Sequence, residues 1–188
     1  MHFKYVDDRE IIYSGQQLRP HWIFEEFNLL GDSIVAFVGE CTVKIDHMVD
    51  LEDVKDNSPI YSKKMLSFII EHFGASLEEI VLRQRLFMCI IQDALNKLLN
   101  RNAVLRDGDD LYFEGGKLSV SIATISPVSG LIHIGINIDS ENAPVKAAGL
   151  LSEMNLNNTN DFAIQLLKSY TIEQQQIKNA TYKVKPVN

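Results

Sequence analysis

"GGKLSVSIATIS" (residues 115–126), followed after a short gap by "LIHIGINID" (131–139), is the stretch on which the fold turns. The first run alternates apolar with small or polar residues, and the second interleaves isoleucines with His133, Gly135 and Asn137. Both have the two-residue period of a strand. Turn residues precede each run, "EGG" before the first and "SPVSG" before the second, so the pair reads as antiparallel strands. The same texture extends upstream through "AVLRDGDDLYFE" (103–114) and predicts three or four antiparallel strands in all. Alternation places Leu118, Val120 and Ile122 on one face. It places Ser119, Ser121 and Ala123 on the other, a small and polar row that leaves room beside the sheet.

Outward from this region the period changes. Downstream, residues 161–177 read as an amphipathic helix with Phe162, Leu166 and Leu167 inward and a glutamine-rich exposed end. Upstream, Ser76 and Glu79 have capping-box spacing and open a long, largely buried helix over 77–99. In "KKMLSFIIEHFG" (63–74), Met65, Leu66, Ile69, Ile70 and Phe73 recur at helical spacing. A second helix is expected there, ended by Gly74, with His72 suited to the negative end of its dipole. "DSIVAFVGE" (32–40) and "CTVKI" (41–45) read as two β stretches. A short helix runs from Pro20 to about Leu30, stopped by Gly31, after a short strand over 10–13. The expected fold is α+β, one domain over residues 1–188 with a mainly antiparallel central sheet flanked by helices.

Bulk properties narrow the function. The 188 residues are 46% hydrophobic and carry a net charge of −7, so an extended phosphate-binding face would work against the overall field. Nucleic acid is therefore not an expected partner. Cys41 and Cys89 sit in apolar stretches, as small buried thiols do in a reducing compartment, although a bridge between them is not ruled out by sequence. No apolar run reaches the length of a membrane span and "MHFKYVDDRE" lacks a signal-peptide layout, so the expected location is cytoplasmic with no membrane partner.

Lys117, planted after Gly115 and Gly116, is the first candidate for chemistry. Glycines at a hairpin let backbone N–H groups approach a ligand oxygen, and a lysine at the start of a strand supplies a compact positive charge for a carboxylate or phosphate. The plain alternative is an exposed two-residue turn flanked by solvating charges.

Over residues 104–139 the chain resembles the lysine-bearing hairpin and the "G-I-G-I-N" strand of biotin and lipoate protein ligases, which share their fold with class II aminoacyl-tRNA synthetases. The resemblance implies that fold, and a role for Lys117 at the acyl carboxylate, the adenylate phosphate or an acyl thioester. It implies that Gly135 and Asn137 border the same pocket. "YSGQQL", "GDSIVAFVGECTV", "HMVDLEDV" and "LRQRL" further resemble the domain of unknown function 366 family over nearly the whole chain. No "GRGRRG" or "RRxxGG" stretch stands in the first half to wrap an adenylate, a departure that tells against ATP as cofactor. The implied function is a ligase-like or acyltransferase-like enzyme holding a small carboxylic acid or activated acyl group near Lys117. Gly115, Gly116, Ser119, Gly135, Asn137, Gln84 and Arg83 would stand around the ligand. A carrier-protein partner and a homodimer are left open, and the alternative is a non-catalytic ligand-binding or subunit-interaction module.

Other residues rank below these. "DHMVDLED" (46–53) puts His47 and Asp50 together, where an imidazole beside a carboxylate could act as a base, but the spacing matches no recognised metal motif and none is expected. In "RQR" (83–85), Gln84 falls on the apolar stripe of its helix. Arg83 and Arg85 diverge around the axis, so at most one turns inward. Trp22 reads as a core aromatic or a pocket-entrance residue, and His133 as a structural histidine within its strand.

Overall fold

The computed structural model describes residues 1–56, 59–141 and 143–187. In chain order it contains β1 (His2–Val6), α1 (Trp22–Phe27), β2 (Ser33–Val43), α2 (Leu51–Lys55), β3 (Ile60–Phe73), α3 (Leu77–Leu99), β4 (Val104–Asp107), β5 (Asp110–Phe113), β6 (Gly116–Lys117), β7 (Ser119–Ile125), β8 (Ser129–Asp139) and α4 (Thr159–Tyr182). A 3₁₀ turn at Ile45–His47 precedes α2. Five strands form the main sheet in the order β1-β2-β3-β8-β7, antiparallel except for the β1–β2 pair, and β4-β5-β6 form a small second sheet.

β3 corrects the expectation of a helix at 63–74. The strand is central, its residues from Met65 to His72 are all buried, and a strand covered on both faces loses the alternation that marks a half-exposed one. Leu66, Phe68 and Ile70 join Ile34, Ala36, Ile132, Ile134 and Ile136 against α3 and α4. Met65 and Ile69 join Val35 and Phe37 on the opposite face, against Tyr13, Trp22 and Ile23. His72 therefore caps no helix. Its Nδ1 lies 3.1 Å from Asp32 and its Nε2 2.9 Å from the Tyr170 hydroxyl. Burial holds the imidazole below its ordinary pKa against the pull of Asp32. A carboxylate only accepts, so Nδ1 carries the proton and Nε2 accepts from Tyr170.

The other local differences have equally local causes. "DSIVAFVGE" and "CTVKI" form one strand, β2, with a register irregularity between Gly39 and Cys41. Residues 11–13 run beside it through Ile11 N–H to Val38 O and Tyr13 N–H to Glu40 O, forming an isolated bridge instead of a strand. α1 stops at Asn28, which takes the left-handed conformation at φ 55°, before Gly31 is reached. The long helix α3 opens as expected, with the Ser76–Glu79 capping box formed in both directions. Cys41 and Cys89 are free thiols. Burial, with Glu40 nearby, pushes the Cys41 thiol up to about 12, so it is no nucleophile. Among the described residues no helix is long and apolar enough to cross a membrane.

Candidate functional site

The β5–β6 hairpin and the start of β7 place Lys117 on the open side of the main sheet, at the wall shared by two adjoining cavities of about 240 and 220 Å³. Its backbone is fixed from two directions. On one side Lys117 N–H donates to Lys146 O at 2.9 Å and Lys117 O accepts from Ala148 N–H at 3.0 Å. The Asn137 amide of β8 also donates to Lys117 O at 3.2 Å. The side chain is half-buried and its Nζ lies 2.8 Å from Asp110 Oδ2. Burial works against the ammonium charge, but Asp110 outweighs it and holds the lysine above its ordinary pKa.

The two glycines serve the chain itself. Gly115 has φ 75°, with Lys146 Nζ 3.2 Å from where its Cβ would stand. A Cβ at Gly116 would stand 2.7 Å from the carbonyl group of Ala147, so the absent side chain is what lets the strap at 143–148 lie against the hairpin. Neither glycine lines either of these two cavities. The small polar row of β7 faces α3 and is largely taken up by hydrogen bonds, although Ser121 also reaches the larger cavity and Ser119 the smaller one. Ser119 Oγ accepts from Leu111 N–H at 2.9 Å, and Gln84 of α3 donates to Ser121 Oγ at 2.6 Å and to Asp109 Oδ2 at 3.1 Å. Val120 and Ile122 face the larger cavity, while Leu118 packs in the helix-side core.

The larger cavity brings Lys117 together with His47 and Asp50. Asp50 caps α2 by accepting from Glu52 and Asp53 N–H, and His47 Nδ1 sits 3.3 Å from Ser14 O. Asn137 and Ser119 line the smaller cavity. Gln84 reaches the site through Asp109 and Ser121. Arg83 lines neither cavity and lies by Asp32, His72 and Tyr170; of the pair it is Arg85 that turns to Asp109, at 3.5 Å. Trp22 packs edge-on against Phe27 and Phe37 in the core. Gly135 lies beneath Met65, whose sulfur would stand 2.1 Å from a Cβ there.

Three participants carry no local sequence signal. Asp53 lines both cavities, and burial together with Asp50 pushes its carboxyl above the ordinary range despite Lys117. Tyr13 and His133 stack at 3.6 Å between ring centroids and line the larger cavity. No group of three or more His, Cys, Asp or Glu side chains suited to a metal ion occurs among the described residues.

A family described as Domain of unknown function (DUF366) matches residues 1–185. The chain belongs to this family. An uncharacterised protein of Methanocaldococcus jannaschii is 36% identical over 97% of the chain and 84% of its own length. A solved protein of unknown function from Pyrococcus horikoshi superposes with TM-score 0.92 at 34% identity, covering all of both chains. The biotin protein ligase of Aquifex aeolicus in complex with biotin and ATP superposes with TM-score 0.61 at 16% identity, covering 95% of this chain and 71% of that one. The fold is thus the one shared by biotin and lipoate protein ligases, of class II synthetase type.

Proposed function

We propose that the adjoining cavities hold a small carboxylic acid or its acyl thioester with the carboxyl or acyl oxygen at Lys117, and that the protein is an acyl-handling enzyme of ligase or transferase type. The position of Lys117 at the wall between the cavities carries this reading. An ammonium has three donors; Asp110 takes one and leaves two for a ligand oxygen. In acyl transfer, an acceptor amine or thiol would bond to the acyl carbon as the donor thiolate leaves, the acceptor's proton passing to the departing sulfur. Lys117 would offset the oxyanion formed on the way. Asn137 would hold the lysine's carbonyl, Gln84 would orient Asp109, and a cytoplasmic carrier protein is the acceptor this chemistry suits.

Charge separates this reading from ATP-dependent ligation. Lys117 is the only lysine or arginine among the described residues lining the two cavities, against the carboxylates of Asp50, Glu52, Asp53, Asp109 and Asp110. A triphosphate would meet net repulsion there. The same observation favours, as second reading, a binding module without turnover.

Thermal denaturation of wild type and Lys117→Ala, with a panel of short carboxylic acids, their thioesters and ATP, tests the proposal. A ligand at a hundred times its dissociation constant stabilises the native state by about 2.7 kcal/mol, a shift of several degrees for a domain of this size. The expected result is a shift with an acid or thioester that disappears in the variant while its unliganded melting temperature is retained. A shift that survives Lys117→Ala overturns the site. Binding without acyl transfer to any amine or thiol acceptor selects the second reading.

A further inference from the structure

The larger cavity has the wrong charge for a ligand that is only an acid. Five carboxylates stand in its wall, and the Asp53 carboxylate, unlike the residue's backbone N–H, has no hydrogen-bond or ion-pair partner among the described residues. Burial and the neighbouring carboxylates of Asp50 and Asp110 raise the Asp53 pKa, and Lys117 offsets only part of this. A second observation is independent of these acids. His133 and Tyr13, exposed by only 2% and 3%, both line this cavity. His133 bonds Ser67 Oγ through Nε2 at 3.3 Å, and among the described residues neither its Nδ1 nor the Tyr13 hydroxyl has a protein hydrogen-bond partner; neither atom is fully enclosed by protein. A ring nitrogen and a hydroxyl without protein partners, carried by otherwise buried side chains in one cavity wall, offer hydrogen bonds to a polar ligand group. His133 is held neutral by burial, so it adds no positive charge.

We propose that this cavity takes the ammonium end of the ligand, so that the natural ligand is an aminocarboxylic acid or its acyl derivative, with its amine between Asp53 and the Tyr13–His133 pair and its carboxyl or acyl end at Lys117. This rests on the reading of Lys117 given above for the carboxyl end alone. An ammonium adds to the counter-charge that Lys117 gives Asp53 only in part. It also donates to the Tyr13 hydroxyl oxygen and to His133 Nδ1, with the His133 Nε2–H donating to Ser67 Oγ. A metal ion in the same place would want three or more ligating side chains converging, and the described residues hold no such group.

Four five-carbon probes separate the contributions: valerate, pentylamine, 5-aminovalerate and norvaline, titrated calorimetrically against wild type, Asp53→Asn and Lys117→Ala. At least one of the two amino acids is expected to bind wild type roughly tenfold or more tighter than valerate. Asp53→Asn should remove that preference without weakening valerate, and Lys117→Ala should weaken valerate. Valerate binding as tightly as both amino acids overturns the ammonium site while leaving the Lys117 reading intact. Pentylamine binding that Asp53→Asn abolishes, with no effect of Lys117→Ala on any probe, supports the ammonium site and overturns the Lys117 reading. Failure of all four probes to bind at millimolar concentration counts against both.

Discussion

His133 makes the chain's stability depend on pH in a direction its burial dictates. Desolvation pushes its imidazole down from 6.5 to about 3, so it stays neutral in the folded protein under conditions where the unfolded chain takes up a proton. Its contribution is fully present above pH 6.5 and is lost progressively as pH falls toward 3, with a slope of up to about 1.4 kcal/mol per pH unit. His72 is lowered as well and acts in the same direction. His133→Phe keeps a ring stacked on Tyr13, so denaturant midpoints measured from pH 7 to 4 should fall less steeply than in wild type without becoming flat. Asp53 has the opposite sign: its carboxyl is raised, so its ionised form costs stability that grows as pH rises through the carboxylate range. Asp53→Asn should raise the melting temperature slightly at pH 7, and the difference should vanish in acid. Lys117 could be singled out in the sequence because two glycines preceded it. Asp53 and Tyr13 could not, since an aspartate in an acidic run and a tyrosine near a turn look the same whether or not a cavity forms over them.

Among the elements, α3 and β3 show what local sequence can and cannot carry. The α3 start was legible because capping chemistry is local: Ser76 and Glu79 satisfy each other's backbone within one turn. Ser76→Ala should cost about 1 kcal/mol in urea denaturation, the usual price of a lost cap. β3 carries no such local signal, because burial on both faces is a property of its neighbours β2 and β8, and the β8 partner lies far away in sequence. Spacing alone cannot tell a doubly covered strand from a buried helix turn. The hairpin and the strap at 143–148 make a third test. Gly116→Ala would drive a methyl into the Ala147 carbonyl, so the two hydrogen bonds flanking Lys117 should loosen. Amide exchange at Lys117 and Ala148 should then speed up while α3 amides stay protected.

For the molecule as a whole, the main sheet carries a core on each face, and the helix-side core is bound together by aromatic contacts. Phe87 meets Phe68 at 5.2 Å and Tyr170 at 4.6 Å, linking α3, β3 and α4. Phe87→Ala should remove about 3–5 kcal/mol and lower the melting temperature by roughly ten degrees. The fold class was readable from the strand texture at 103–139 and the helices on either side of it. The cavities were less so. Their walls join Tyr13, the 47–53 segment, Lys117 and His133, which only the completed topology brings to one place. The cavity wall shares the net acidity of the whole chain.

Gly135 and Met65 are adjacent on paired strands, and the methionine sulfur occupies the volume that a side chain at Gly135 would have taken. The floor of the smaller cavity is therefore made of three rotatable bonds instead of a fixed branch. Such a floor works as an adjustable ruler for the apolar part of whatever enters. Met65→Ala should lengthen the acyl chain that binds best by a carbon or more, and Met65→Ile should shorten it and sharpen the cut-off, as read from affinities across a homologous series of acids.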